Sequence, residues 1–191
     1  MREAFAFLRR RGLLPFLAST VAFLRMRWAF RSATSIGSAR LTGKAVVRNS
    51  GNMVVENRVR LDGTIVALSI ACFEGARLRI GEGTFINFGS DISATASVEI
   101  GRDCDIGQYA IIIDNDFHRT DDHHARPKGS PVVIEDEVWL GARVTVLPGS
   151  HIGRGSVIGA HAVVSGEIPP DSLAVGVPAR VVRSLRKDTD G

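Results

Sequence analysis

Cysteine and aromatic residues are scarce in this chain of 191 residues. Its two cysteines, Cys72 and Cys104, are not part of a CxxC pair. They provide no disulfide framework, so we expect two small buried thiols in a reducing compartment, the cytoplasm. Aromatic residues make up 6% of the chain, whereas 45% of its residues are hydrophobic and 20 are glycine. This composition excludes a large aromatic-filled sandwich and favours a core of Ile, Val, Leu and Ala on many short strands.

Long apolar runs are also lacking. The uncharged stretch at residues 13–24 is too short to span a bilayer and contains Pro15. A signal peptide would look similar, with arginines ahead of an apolar run, but this run ends in Leu24-Arg25-Met26-Arg27-Trp28 without a small-residue cleavage site. We therefore expect residues 1–35 to form a basic, apolar helical segment that is not a secretion signal.

Acidic residues are almost missing from that segment. Residues 1–31 hold seven arginines and one acid, a net charge of +6, while the whole chain carries +4, so residues 32–191 carry −2. A mildly acidic body without basic-aromatic patterning argues against nucleic acid as a partner. Two interpretations of the segment stay open. It is either a helix packed on the body or on a neighbouring subunit, or an interfacial helix whose arginines meet anionic lipid at the inner face of the membrane.

What the chain does contain is a sustained six-residue repeat. Aliphatic residues recur at this spacing, usually with a small residue four positions later. The aliphatic positions are Ile80, Ile86, Ile92 and Val98, then Ile100, Ile106 and Ile112, then Ile134, Leu140, Val146, Ile152, Ile158 and Val164. Neither a helix nor an ordinary strand has this period. It predicts a parallel β-helix, an all-β solenoid in which equivalent residues of successive coils stack on one another.

The repeat also predicts where the coils turn. Glycine often follows the aliphatic residue, and we expect it to supply the positive φ of a corner. The frame slips by two between Val98 and Ile100, which we interpret as an irregular corner. Residues 36–79 look like degenerate coils of undefined register. We therefore predict a β-helix over residues 36–168 and a C-terminal tail at residues 169–191.

One segment interrupts the repeat. Ile112 and Ile134 are 22 residues apart, which is not a multiple of six. The polar residues 114–131 between them include three of the five histidines, His118, His123 and His124. We predict an excursion that leaves a corner of the prism, where insertions into repeat proteins often form the binding face.

The segments after the excursion carry a resemblance to a known family. They read PVVIEDEVWLGA at 131–142, VLPG at 146–149, IGA at 158–160, IPPDS at 168–172 and GVPAR at 176–180. With the repeat, they resemble the hexapeptide-repeat O-acetyltransferases, in particular the branch that modifies maltose, galactosides and polysaccharides. The resemblance implies a left-handed helix, a homotrimer with active sites between subunits, and acetyl-CoA as co-substrate without a required metal.

The resemblance also implies an activity and a set of site residues. The activity is acyl-CoA-dependent O-acyl transfer, from acetyl-CoA to a hydroxyl of a sugar or polysaccharide precursor. His118 occupies the place of the catalytic base, and a neutral imidazole can take the hydroxyl proton in a ternary complex. The other matching positions are Asn87 and Trp139 on the acceptor side, Ala142 and Ala160 beside the pantetheine, and Arg180 and Arg183 near the CoA phosphates. A main-chain N–H near Ala142 would hold the oxyanion.

The sequence departs from the family on the acceptor side. Ser93-Ala94-Thr95 stands where the sugar acetyltransferases carry an acid, and the basic apolar segment replaces their N-terminal helical subdomain. Both departures favour a polysaccharide, a lipid-linked sugar or a nucleotide-linked sugar over free maltose.

Two other functions stay open. A metal site of the γ-carbonic anhydrase type would use His118 and His123, which have the required five-residue spacing, but Gly81-Glu82-Gly83 offers no third histidine. A non-catalytic, membrane-associated scaffold would explain the basic segment but gives no reason for the excursion.

Overall fold

The computed structural model describes residues 13–119, 121–122, 124 and 127–186. It confirms the predicted fold class, a parallel β-solenoid of about 7 turns, preceded by one helix in the described part of the chain. The elements are α1 (Leu13–Ala29), β1 (Ser35–Ile36), β2 (Arg40–Asn49), β3 (Asn52–Val55), β4 (Arg60–Cys72), β5 (Arg77–Ile80), β6 (Phe85–Ile86), β7 (Asp91–Ala94), β8 (Ser97–Ile100), β9 (Asp105–Ile106), β10 (Ile111–Ile113), β11 (Val132–Ile134), β12 (Trp139–Leu140), β13 (Thr145–Val146), β14 (His151–Ile152), β15 (Val157–Ile158), β16 (Val163–Val164), β17 (Glu167–Ile168), β18 (Ser172–Val175) and β19 (Arg180–Ser184).

The strands form three parallel stacks, one on each face of the prism. The first stack runs β1-β3-β5-β8-β11-β14-β17. The second contains the first parts of β2 and β4, then β6, β9, β12, β15 and β18, and the third contains the later parts of β2 and β4, then β7, β10, β13 and β16. We call the turn from the first to the second stack the first corner, the turn from the second to the third stack the second corner, and the turn back to the first stack the third corner.

The repeat residues form the core. Each aliphatic residue pairs with its equivalent one coil away, as Ile106 does with Ile86 and Leu140, and these side chains are buried. Most of the small residues four positions later are buried too, among them Thr84 and Cys104. The stacking explains the period, because the apolar face of one coil is covered only by the coils above and below it.

The slip between Val98 and Ile100 is not an irregular corner, contrary to the sequence interpretation. Both side chains point into the core from the four-residue strand β8, where each is fully buried. Because side chains alternate along a strand, a face of four residues presents two inward positions. The register of residues 36–79 is also defined, with Leu41 paired to Leu61 and Leu61 to Ile86.

The glycines that follow the aliphatic residues do not provide the positive φ that we expected of them. At Gly101 and Gly141 an added Cβ would come within 2.5 and 2.7 Å of backbone atoms in the next coil, so these glycines allow the coils to stack closely. The left-handed conformation occurs two residues later instead, for example at Asp103 (φ 52°) and Arg143 (φ 59°).

Helix α1 covers the N-terminal end of the prism. It packs against β2, and the side chains of Met26 and Phe30 are fully buried in the same core as the first coil. Such a cover is needed because the first coil has no preceding coil to bury its edge. No helix in the described part of the chain is long and apolar enough to cross a membrane.

The C-terminal end of the prism is formed by β18 and β19. β18 pairs in parallel with β15, so the second stack continues into the region predicted as a tail. β19 then turns back and pairs with β18 in the antiparallel direction.

Candidate active site

The excursion leaves the third corner after β10, and a buried carboxylate anchors its first residue. Asp114 is fully buried, and its two oxygens accept hydrogen bonds from the Thr95 N–H at 2.8 and 3.0 Å. They also accept bonds from the Thr95 hydroxyl at 2.9 Å and from the Ala96 N–H at 2.7 Å. A buried charge that receives this many donors is well satisfied, so the excursion is fixed to the preceding coil.

Asn115 ties the two arms of the excursion together. Its side-chain N–H donates to the carbonyl of Pro127 at 2.9 Å, and its side-chain oxygen accepts from the Phe117 N–H at 2.6 Å. The second bond holds Phe117 at φ 63°, an uncommon backbone conformation for an aromatic residue. Because Phe117 is its neighbour, the position of His118 is set by the same turn.

The return arm is held by the backbone. The N–H of Ser130 donates to the carbonyl of Asp114 at 2.7 Å, and the N–H of Gly149 donates to the carbonyl of Ser130 at 3.0 Å. The excursion is therefore closed at its base, and the chain enters β11 with the register of the repeat restored.

A cleft of about 1060 Å³ lies between the excursion and the third corner. His118 lines it with an exposed side chain. Phe73 and Phe117 form an edge-on aromatic pair in its wall, with ring centroids 6.1 Å apart. The remaining lining residues are Ser50, Glu74, Thr95, Ala96, Asn115, Pro127, Lys128 and Gly129.

The predicted residues Asn87, Ala142 and Ala160 meet at a different place, the second corner. Asn87 follows β6, Ala142 follows β12 and Ala160 follows β15 in the second stack, with the coil of β9 between the first two of these strands. Backbone bonds join these turns, as where the His161 N–H donates to the carbonyl of Ala142 at 2.9 Å. The exposed side chain of Ala160 and the half-buried one of Ala142 make a smooth edge along this corner.

The remaining predicted residues flank the second corner. Trp139 stands on the outer face of the second stack between Asp105 and Val157, and 56% of its surface is exposed. Arg180 and Arg183 are both exposed on β19 at the C-terminal end of the same stack.

One chain therefore does not bring all the predicted residues together. A whole face of the prism, the third stack, separates the second corner from the excursion that carries His118. None of the predicted acceptor-side or CoA-side residues lines the His118 cleft.

Several residues at these corners have no role predicted from the sequence. Asp114 and Asn115 carry the excursion, and a signal for Asp114 was available. It directly follows three isoleucines, at the end of a strand of the third stack. The equivalent positions of the two preceding coils hold Ala94 and Cys72, so an acidic residue stands where a small apolar one is usual. Arg143 was also missed. It lies next to Ala142, and its guanidinium sits 4.8 Å from the centroid of the Tyr109 ring.

The histidines do not gather into a metal site within the described residues. Among those residues, no group of three or more His, Cys, Asp or Glu side chains is arranged to hold a metal ion. His151 instead contacts the Glu135 carboxylate at 2.7 Å, and His161 lies exposed in the second corner. The partner that the metal hypothesis gives to His118 is His123, which lies outside the described residues.

The model of the bacterial transferase hexapeptide family (six repeats) matches residues 131–166. A protein of Escherichia coli K12 that carries the name lipopolysaccharide biosynthesis O-acetyl transferase WbbJ is 33% identical over 153 residues, which cover 69% of this chain and 77% of that protein. The chain belongs to the hexapeptide-repeat acetyltransferase family.

Other members of the family align over different lengths. A Mycobacterium tuberculosis protein named as an acetyltransferase is 40% identical over 121 residues, or 61% of this chain. The match spans only 40% of that relative's length. The fold is shared with a Vibrio cholerae hexapeptide-repeat acetyltransferase solved with acetyl coenzyme A, at a TM-score of 0.62 and 24% identity over 97% of this chain and 85% of that one.

Proposed function

We propose that this chain is an acyl-CoA-dependent O-acyltransferase that moves an acetyl group from acetyl-CoA to a hydroxyl of a sugar or polysaccharide precursor. The observation that carries the proposal is the anchored excursion, in which Asp114 and Asn115 fix the turn that presents His118 to a large cleft. The names of the E. coli relative and of the acetyl-CoA-bound Vibrio structure support the choice of acceptor and donor.

The chemistry needs one base and no covalent enzyme intermediate. The His118 imidazole takes the proton of the acceptor hydroxyl as its oxygen attacks the thioester carbonyl. The tetrahedral intermediate then collapses, the carbon–sulfur bond breaks, and the thiolate of CoA leaves and is protonated by the imidazolium. The oxyanion needs a fixed N–H donor, and we assign this to the main chain near Ala142.

The acceptor binds in the cleft beside His118. Phe73 and Phe117 offer an aromatic wall to the apolar face of a sugar ring, while Ser50 and Glu74 can bond to its hydroxyls. An apolar wall with a few polar groups is the usual composition of a small-molecule site.

A second copy of the chain completes the site in this proposal. His118 and the second corner lie on opposite sides of the third stack, so the Ala142 and Ala160 edge can reach the cleft only from a neighbouring subunit. A homotrimer arranged in this way places CoA in the groove between two chains, with Asn87 and Trp139 at its acceptor end and Arg180 and Arg183 near its phosphates.

We also propose that the N-terminal segment brings the enzyme to the inner face of a membrane, where precursors of surface polysaccharides are made. The segment carries a net charge of +6 over residues 1–31. Basic charge together with an apolar helix face is what binding to an anionic surface requires.

Acceptor-dependent release of CoA tests the proposal. The assay would use acetyl-CoA with a panel of oligosaccharides, nucleotide-linked sugars and lipid-linked sugars. We expect His118→Ala to lower turnover by about 10²- to 10⁴-fold, while acetyl-CoA still raises the melting temperature of the variant. His124→Ala, an exposed histidine of the same excursion, is the matched control and should keep normal turnover.

Two results would count against the proposal. Near-normal turnover in His118→Ala would remove the histidine from its role. If millimolar acetyl-CoA left the melting temperature of the wild-type protein unchanged, the metal site or the scaffold would become the better hypothesis, and the metal content of the purified protein would separate those two.

A further inference from the structure

A second groove lies between α1 and the first strands of the second stack, away from the His118 cleft. Its volume is about 590 Å³. One wall is helical, with Ala18, Val21 and Ala22, and the opposite wall contains Phe85. These side chains make the groove largely apolar along its length.

Three arginines, Arg25, Arg40 and Arg60, line this apolar groove. Within the described part of the chain, no carboxylate lies within ion-pair distance of any of them. The one acid in the groove, Asp62, accepts hydrogen bonds from the N–H and hydroxyl of Thr64 at 2.9 and 2.7 Å. The groove therefore has an excess of positive charge that the described residues do not neutralise.

The placement of two of these arginines is unfavourable for the fold alone. Arg40 and Arg60 are direct neighbours on adjacent parallel strands, and like charges in such a pair repel each other. The next residue in the same ladder is Phe85, and the Arg60 guanidinium lies 5.0 Å from the centroid of its ring. An anion bound between the two guanidiniums would relieve the repulsion, and the planar guanidinium suits phosphate oxygens.

The groove opens beside an apolar stripe on the helix. Leu17, Val21, Leu24 and Trp28 recur at helical spacing along one face of α1, and all four are exposed, with Leu24 at 59% and Trp28 at 71%. Val21 belongs both to this stripe and to the groove wall. A ligand whose phosphate sits at the arginines can thus continue into an apolar surface.

Charge along the chain supports an anionic surface as the occupant. Residues 13–63 hold eight Lys and Arg against two acids, a net charge of +6, whereas residues 64–191 carry −5. Positive charge is therefore concentrated at the end of the prism that carries α1. A soluble phosphate compound would explain the arginines but not the exposed apolar stripe next to them.

We propose that this groove binds the phosphate of an anionic phospholipid while the stripe on α1 enters the same membrane surface. The proposal rests on the membrane contact proposed above and gives that contact a defined site. The arginine pair Arg40 and Arg60 holds the phosphate, and Arg25 closes the groove from the helix side.

A soluble short-chain lipid tests the groove separately from the membrane. Dihexanoyl phosphatidylglycerol, kept below its micelle concentration, would be titrated into the full chain by calorimetry. We expect saturable binding that is lost in the double variant Arg40→Ala with Arg60→Ala. A control double variant, Arg48→Ala with Arg77→Ala, removes the same charge from exposed strand positions outside the groove and should keep the binding.

A second arm uses vesicles of phosphatidylglycerol and phosphatidylcholine, with pure phosphatidylcholine as the reference. At low salt the groove variant, Arg40→Ala with Arg60→Ala, should bind anionic vesicles about 30-fold more weakly than the wild type. Each arginine near such a surface raises the binding constant by a factor of about 5. Both variants should retain the wild-type melting temperature, because the substituted side chains are exposed. The groove variant should also retain acetyl transfer to a soluble acceptor, because Arg40 and Arg60 lie away from the His118 cleft.

These experiments distinguish failure of the phosphate site in the groove from failure of the membrane contact proposed for the N-terminal segment. If the short-chain lipid does not bind saturably, or if the control variant loses as much lipid binding as the groove variant, the groove is not the phosphate site. Binding of the protein to anionic vesicles would in that case still support the membrane contact. Equal binding of inorganic phosphate would overturn a lipid as the ligand. A change of oligomeric state in the groove variant, seen by light scattering, would show that another copy of the chain covers the groove.

Discussion

The carboxylate of Asp114 accepts both the backbone N–H and the side-chain hydroxyl of Thr95, a residue of the preceding coil. This contact crosses 19 residues of sequence and joins the start of the excursion to the third corner of the prism. The geometry of the His118 cleft depends on it, because none of the described residues between Ile113 and Val132 belongs to a strand.

Replacing Asp114 by Ala should therefore destabilise the protein and also reduce its activity. The partly buried N–H groups of Thr95 and Ala96 would lose their carboxylate acceptor, and a hydrogen bond to a charged group contributes about 1.5–3 kcal/mol. Chemical denaturation measures this loss, and the acetyl-transfer assay should show a lower turnover number in the folded variant. Asp116→Ala changes an exposed acid two residues along and should leave both quantities unchanged. Equal effects of the two substitutions would contradict the anchoring role.

A bulky residue at Ala160 should block the binding of acetyl-CoA without harming the fold. The side chain is exposed on the second corner, so Ala160→Phe adds volume outside the core and on the proposed pantetheine path. We expect the rise in melting temperature with acetyl-CoA to disappear, while the melting temperature without ligand stays close to that of the wild type. Ser165→Phe, at an exposed position of the third corner, is the control. An unchanged ligand-induced shift in Ala160→Phe would remove this corner from the CoA path.

Acid should weaken the first corner. The Arg154 N–H and the His151 side chain lower the pKa of Glu135, and the Arg102 side chain and its N–H lower the pKa of Asp136. A carboxyl whose pKa is lowered by folding stabilises the folded state above its unfolded pKa, near 4, and this contribution is lost as the pH falls through the folded value. We therefore expect the melting temperature to fall between about pH 5 and pH 3. The double variant Glu135→Gln with Asp136→Asn should show a flatter profile over that range, and an identical slope would contradict the assignment.

The two cysteines should be unreactive in the folded protein. Both are buried, and burial raises the pKa of Cys72 and raises that of Cys104 to about 11. Since the thiolate is the reactive form, a disulfide reagent at pH 8 should modify neither thiol in the native state and both after denaturation. Rapid modification of the native protein would show that the prism opens far more easily than its packing suggests.

The sequence predicted the prism well where the repeat was regular. Leu140 and Ile158 lie three six-residue repeats apart, and both are buried in one column of the second stack. It failed at Val98 and Ile100, because a period of six does not reveal that one face has four residues and two inward positions. It also misjudged Gly101 and Gly141, since the close approach of the next coil is invisible along the chain.

The candidate site was predicted only in part. His118 and the limits of the excursion follow from a break in the repeat and from the family resemblance. The anchoring by Asp114 and Asn115 was not predicted, because their partners Thr95 and Pro127 are 19 and 12 residues away and only the folded chain brings them together.

By itself, the sequence determined that this protein is a parallel solenoid, because burying one aliphatic residue every six positions is a local pattern that only stacked coils satisfy. It also determined the family, through the segments that follow the excursion. Only the tertiary structure decided that His118 and the second corner lie on opposite sides of the third stack, and that Arg40 and Arg60 stand together beneath α1. Those relationships depend on the length of each coil and on the face to which each residue is assigned, and both are set by contacts between residues that are distant in sequence.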